Sequence, residues 1–211
     1  MHDPRSPCEG SQGAVHPVIL VKILQEPLVG PLRLDHEHRL GLASVAPKLT
    51  IRDFLPTDWK GIWPFLEQII RAGETYAWPR EVTEEGARVR WVQPPPCRVF
   101  VAVDEADVIV GTAKLLPNNE GGGAHVANAS FMVDPARSGL GLGRALAEHV
   151  LAVATADGYR AMQFNAVVET NMGAVRLWQS VGFKILATVP DAFDHPVHGL
   201  VGLHIMHRNL P

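Results

Sequence analysis

The chain has 211 residues, 46% hydrophobic and 19% charged, a balance typical of soluble globular proteins of about one domain. Its formal net charge of −3 gives no basic footprint and argues against nucleic acid as a partner. Two cysteines, Cys8 and Cys97, imply no disulfide framework. The opening Met1-His2-Asp3-Pro4-Arg5 lacks the apolar stretch of a signal peptide, and the run Val18–Leu24, broken by Lys22, is too short to cross a membrane. The chain therefore reads as cytoplasmic.

Residues 1–48 read as an N-terminal extension. Met1–Ala14, rich in Pro, Gly and Ser, is expected to be loosely attached; Val15–Leu24 reads as a strand that extends a sheet or forms a homodimer contact, and Leu40–Val45 as a second short strand. The main domain, 49–211, begins with Leu49-Thr50-Ile51-Arg52. Asp58–Ile70 carries apolar residues at Ile62, Phe65, Leu66, Ile69 and Ile70, a helical stripe, with Gly73 just past its end. A loop over Gly73–Arg80 holds Tyr76 and Trp78. A second helix is expected over Thr83–Val92, stopped by Pro94-Pro95-Pro96.

Strands follow at Arg98–Val103, Val108–Leu116 and Ala124–Val133, the first two joined by a hairpin turn at Asp104–Asp107. After a glycine-rich turn, Leu142, Ala145, Leu146, His149, Val150, Val153 and Ala154 share one helical face, and Asp157-Gly158 ends that helix. Ala161–Val168 is an apolar strand interrupted by Gln163 and Asn165. Asn171–Ser180 is a further helix, and Phe183–Val189 and Leu203–His207 are the last strands. Strand–helix–strand order implies a parallel pair while the hairpins require antiparallel ones, so the fold class is α/β (α+β) with a mixed sheet.

The turn Ser138-Gly139-Leu140-Gly141-Leu142-Gly143 lies between the strand end Val133-Asp134-Pro135 and the helix start Arg144-Ala145-Leu146. Residues without Cβ let backbone N–H groups converge on a large anion, and the helix N-terminus adds unpaired donors and a positive dipole. Alone, such a turn equally well only reverses the chain. A Rossmann fingerprint would need Gly where Arg144 stands, and a P-loop would need Lys then Ser or Thr where Arg144-Ala145 stand.

These residues resemble motif A of the GCN5-related N-acetyltransferases, and Asn171-Met172-Gly173-Ala174-Val175-Arg176-Leu177-Trp178 followed by Gly182-Phe183 resembles their motif B. The resemblance spans Leu49–Leu210. It implies a twisted sheet flanked by helices and splayed between its fourth and fifth core strands, Ala124–Val133 and Ala161–Val168. It further implies acetyl-CoA as cofactor, with Phe131, Met132 and Val133 offering a strand edge to pantetheine. Ser138, Gly139, Leu140, Gly141, Leu142, Gly143 and Arg144 would hold the pyrophosphate, and Asn171, Ala174 and Trp178 would lie on the cofactor side.

Three departures from the family pattern stand out. Ser138 occupies a position usually held by Gln or Arg, for which Arg137 is either a substitute or an ordinary surface residue. Trp178 stands where a Tyr usually protonates the leaving thiolate; indole only donates and has no useful acidity, so Trp178 reads as a packing wall. The strand Ala124–Val133 offers His125, Asn128 and Ser130 rather than the usual Glu base, which leaves Asn128 and Glu169 as the catalytic candidates, Glu169 being the nearest carboxylate by sequence and otherwise a solvated residue at a strand end. Asn128 and Asn165 form either an internal polar pair or a grip for a substrate carboxylate.

The run Phe164–Asn171 and the segment Asn128-Ala129-Ser130-Phe131 also resemble the fungal acetyltransferases of proline analogues, and Gly73-Glu74-Thr75-Tyr76 resembles the phosphinothricin-type enzymes. The resemblance implies N-acetylation of a small amino or imino acid, with Asn128, Asn165 and Tyr76 around the acceptor; Tyr76 is otherwise a loop anchor. Alternatives are a non-catalytic acyl-CoA sensor, or a protein N-acetyltransferase. No metal is expected, because His195, His198, His204 and His207 lack a ligand-like pattern.

Overall fold

A computed structural model describes residues 49–211. The expected strands at Val15–Leu24 and Leu40–Val45, the first of them the suggested dimer contact, lie outside the described residues. Seven strands, β1 (Thr50–Asp53), β2 (Arg98–Val103), β3 (Ile109–Pro117), β4 (Val126–Val133), β5 (Ala161–Val168), β6 (Lys184–His195) and β7 (Gly199–Asn209), form one sheet in the order β1-β2-β3-β4-β5-β7-β6. Every neighbouring pair is antiparallel except β4 and β5. The helices are α1 (Trp59–Ala72), α2 (Glu84–Trp91), α3 (Leu142–Ala156) and α4 (Met172–Ser180).

Local chemistry sets the helix ends. Ahead of α1 the Asp58 carboxylate accepts the Leu55 amide at 2.7 Å and both terminal nitrogens of Arg52, at 2.7 and 2.9 Å. That bidentate pair and the backbone donor hold its carboxyl below the usual carboxylate range. α1 stops at Gly73, whose φ of 65° suits a residue without Cβ. Thr83 caps α2 by accepting the Gly86 amide at 3.1 Å, and Asn171 caps α4 by accepting the Ala174 amide at 3.2 Å.

The sheet divides the interior in two. One side packs Phe100, Ala113, Phe131, Met162 and Phe164 against α3 and α4; the other packs Val101, Met132, Ala166 and Val168 against α1, α2 and the loop that carries Tyr76 and Trp78. The terminal hairpin is longer than its apolar pattern predicts, because β6 runs on to His195 with nearly every residue exposed. Solvated pairing leaves no hydrophobic alternation to read, and a positive φ at Asp191 marks the irregularity that carries the strand past Val189. The start of β4 is also later than expected, since Gly121–Gly123 forms a short 3₁₀ turn first.

β4 and β5 pair only at Val126↔Ala161 and Ala127↔Met162, and beyond that they part. Trp178 fills the gap on the α3–α4 side, its ring centroid 4.9 Å from Phe131 on β4 and 4.6 Å from Phe164 on β5. With Phe183 stacked 4.4 Å from Phe164, the rings form a wedge beneath the opening. Trp178→Ala is expected to lower the unfolding free energy by about 3–5 kcal/mol, the usual cost of emptying a buried aromatic site. Urea denaturation would measure it, and a loss under about 1 kcal/mol would deny Trp178 the wedge role.

Candidate functional site

The glycine turn folds as a shallow cradle. Asp134 caps a 3₁₀ turn over Pro135–Arg137 by accepting the Ala136 amide at 2.9 Å, which leads the chain into Ser138. Gly139 and Gly141 both take left-handed backbone, φ 81° and 77°, and a Cβ on either would meet nothing within 4 Å. Both therefore face open space, as an anion approaching the backbone requires. Gly141 is the N-cap of α3, and the Ala145 amide is the first to close a helical turn, onto Gly141 O at 3.1 Å. The amides of Leu142, Gly143 and Arg144 precede that bond and belong to the open first turn.

Across from the cradle stands α4, and between them lies a cavity of about 380 Å³ reached by Val133, Ser138, Gly139, Gly141, Leu142, Gly143 and Arg144. Arg144 bonds Ser180 on α4 at 2.7 Å and Glu148 at 3.5 Å. Arg137 lines the cavity while pairing with Asp104 at 3.4 Å. Leu140 is exposed and does not line it. Sequence reading did not single out Arg176, which brings a third guanidinium to this cavity together with Gly173, Leu177 and Ser180. Their spacing of three and four residues on one helix face was the signal available.

Ladder parity makes the three expected edge residues of β4 unequal. The bonds Asn118 N→Val126 O (2.8 Å) and Asp134 N→Val110 O (2.9 Å) bracket the β3–β4 ladder and fall on even-numbered residues, the first of β4 and the one just past its end. Alternation therefore turns the backbone of Met132 toward Thr112 on β3, and those of Phe131 and Val133 toward the opening. The Phe131 carbonyl accepts the Tyr76 hydroxyl at 2.9 Å, so the loop over the sheet is pinned to this edge. Ala174 is fully buried at the start of α4. Asn171 spends its Oδ1 on the cap and keeps a buried Nδ2 that has no partner among the described residues.

At the base of the opening, Asn128 and Asn165 converge on a residue the sequence reading passed over. Asn118, after β3, accepts Asn128 Nδ2 at 2.9 Å and Asn165 Nδ2 at 2.7 Å, and Asn165 Oδ1 accepts Gln163 Nε2 at 2.8 Å. The two asparagines are thus joined through a third, while the buried Asn128 Oδ1 has no partner among the described residues. Glu169 is fastened elsewhere: its backbone amide donates to Gly202 O at 3.0 Å and its Oε1 accepts the Gly202 amide at 2.5 Å, tying β5 to β7. Trp178, 2% exposed, belongs to the aromatic wedge.

The family model described as Acetyltransferase (GNAT) family matches residues 63–183, which include the cradle, both splayed strands and α4. The chain belongs to the GNAT acetyltransferase family. N-acetyltransferase aca1 of Schizosaccharomyces pombe is 30% identical over 119 residues, 56% of this chain and 57% of that protein, so the match spans little more than half of the curated relative. A GCN5-related N-acetyltransferase structure from Kribbella flavida is 53% identical with a TM-score of 0.75, covering 77% of this chain and 98% of that one. A phosphinothricin acetyltransferase from Sinorhizobium meliloti, solved with AcCoA, shares the fold at 21% identity and TM-score 0.68, covering 77% and 88%.

Filling the cradle tests whether it holds the cofactor. Gly141→Val adds a branched side chain where the backbone faces the cavity, at a φ that L-residues rarely adopt. Calorimetric titration should show acetyl-CoA binding weakened at least about tenfold, or about 1.4 kcal/mol. Unchanged affinity in a folded variant would remove the turn from the cofactor site.

Proposed function

We propose that this protein moves the acetyl group of acetyl-CoA to the amine of a small amino acid, imino acid or analogue, by direct attack on the thioester. The observation that carries the reading is the junction of two features on one strand. The edge of β4 runs from the cradle, at Val133, down to Asn128 at the base of an open splay.

The residues present fit coenzyme A. Two glycines open to the cavity, an uncapped first turn of α3 and the guanidinium groups of Arg137, Arg144 and Arg176 suit a pyrophosphate and further phosphate. Bound acetyl-CoA supplies an acetyl group already activated as a thioester. The outward-facing N–H groups of Phe131 and Val133, with the Val133 carbonyl, offer a pantetheine arm the pairing that β5 does not. An amide N–H on that edge also suits the oxygen that gains charge as the amine attacks. The buried Asn171 Nδ2 supplies one more donor on the α4 side.

On the acceptor side, Asn118 fixes the orientation of Asn128 and Asn165, so they orient the substrate rather than take its proton; carboxamides are not bases. Glu169, held by the Gly202 amide, we assign to joining β5 and β7. The nitrogen therefore reacts as a free amine, its proton passing to water.

Incubation with acetyl-CoA and a panel of amino acids, imino acids and peptides, with free thiol as readout, tests this reading. Thiol release with small amines is expected. Tight cofactor binding with no release for any amine would instead support an acyl-CoA sensor, and release with peptides alone a protein N-acetyltransferase. Asn165→Ala should raise the acceptor KM about tenfold, a loss of one well-placed polar contact, and leave acetyl-CoA affinity within about twofold. Unchanged acceptor kinetics would take Asn165 out of the site.

A further inference from the structure

The sheet face toward α1 and α2 holds a charged group that neither the cradle nor the asparagine bridge uses. Lys114, central in β3, has no exposed surface. Its Nζ donates to Arg90 O at 2.9 Å and lies 5.6 Å from the Trp91 ring centroid. Among the described residues it has no carboxylate partner. Desolvation brings its pKa down to about 8, opposed only by Cys97. An ammonium removed from water without a counter-ion is destabilising by several kcal/mol, and an apolar side chain would fill the same strand position without that cost.

Its surroundings indicate where an anion would sit. Ser130 is the direct partner of Lys114 across β3 and β4, so the two side chains leave the same face with Cβ atoms about 5 Å apart. Among the described residues, the buried Ser130 hydroxyl has no hydrogen-bond partner, and neither has the indole N–H of Trp78. The Trp78 ring lies 6.3 Å from Trp91, the ring against which Lys114 packs, and the Arg90 guanidinium lies 5.9 Å from Trp78. Two unfilled donors with two cations beside them suit an anion. Two residues along β4 on the same face, Asn128 keeps a buried carbonyl oxygen that has no partner among the described residues, which suits an N–H donor.

We propose that Lys114 and Ser130, with Trp78 above them, form an anion subsite of the acceptor pocket, so that the preferred acceptor is an amine carrying a carboxylate. This deepens the acetyl-transfer reading and rests on it. The carboxylate then sits toward β3, with its charge supplied from beneath by Lys114, and the amine lies toward Asn128.

The test uses a series of α-amino and imino acids, each beside its carboxamide, which keeps the amine and removes the charge. Each pair is titrated calorimetrically into the full chain saturated with acetyl-CoA or, where turnover interferes, with CoA, and is assayed for thiol release. The wild type should favour the acid over its amide by at least about tenfold, a difference of about 1.4 kcal/mol. Lys114→Met should abolish that preference by raising KM for the acid while leaving the amide unchanged. Ser130→Ala should reduce the preference several-fold. A wild type indifferent to the carboxylate, or variants that weaken acid and amide alike, would overturn the proposal and leave acetyl transfer standing. No thiol release with any amine would overturn acetyl transfer, and the binding preference would still decide the subsite. If Lys114→Met does not fold, Ser130→Ala and Trp78→Phe decide, and an unaltered acid-to-amide ratio in both would reject it.

Discussion

The separation of β4 from β5 is the constraint on which the site depends. Two paired residues hold these strands at one end, and the Trp178 wedge keeps them apart on the α3–α4 side. A parted sheet leaves N–H and C=O groups without partners, and buried backbone groups need them. Tyr76 takes the Phe131 carbonyl. The surroundings are fixed as well: Asn118 joins the side chains of Asn128 and Asn165 at the base, and Glu169 with Gly202 anchors the far side of β5 to β7. What is left is an opening bounded by fixed groups rather than a general weakness in the sheet.

That geometry gives Trp178 a physical role. The family-like tyrosine at this position would bring a hydroxyl, whereas here a larger ring with no acidic proton packs between Phe131 and Phe164. The substitution exchanges proton chemistry for apolar contact. A thiolate is already a reasonable leaving group, and general acid catalysis contributes about 10²–10⁴-fold, so the exchange is compatible with turnover.

Much of this was legible in the sequence because it rests on periodicity and backbone chemistry. The apolar stripe of α1, the boundaries of β2 and β5 and the alternating glycines all follow from local rules. Other features were hidden for definite reasons. Asn118 sits in a polar, glycine-rich connection where an asparagine is unremarkable, and its importance comes only from the two strands that meet it. Met132 could be separated from Phe131 and Val133 only once the register against β3 fixed the parity. β6 beyond Val189 is solvated, so no alternation marks it. Lys114 did leave a trace, as the one charge in the otherwise apolar and small-residue strand Ile109–Pro117. A lysine there contradicts the pattern unless its environment gives the charge a use.

The two faces of the sheet then divide the electrostatic work in a chain whose net charge is slightly negative. Arginines gather, exposed to solvent, around the cavity between the glycine turn and α4, whereas Lys114 is buried where the dielectric is low and its field reaches further. That field bears on the proposed acceptor. A cation beneath the pocket favours the ionised form of a carboxylate, and a carboxylate seated on it would give the buried ammonium the counter-ion that the surrounding strands withhold. The uncompensated charge on β3 and the carboxylate of an amino acid are, on this reasoning, two parts of one arrangement.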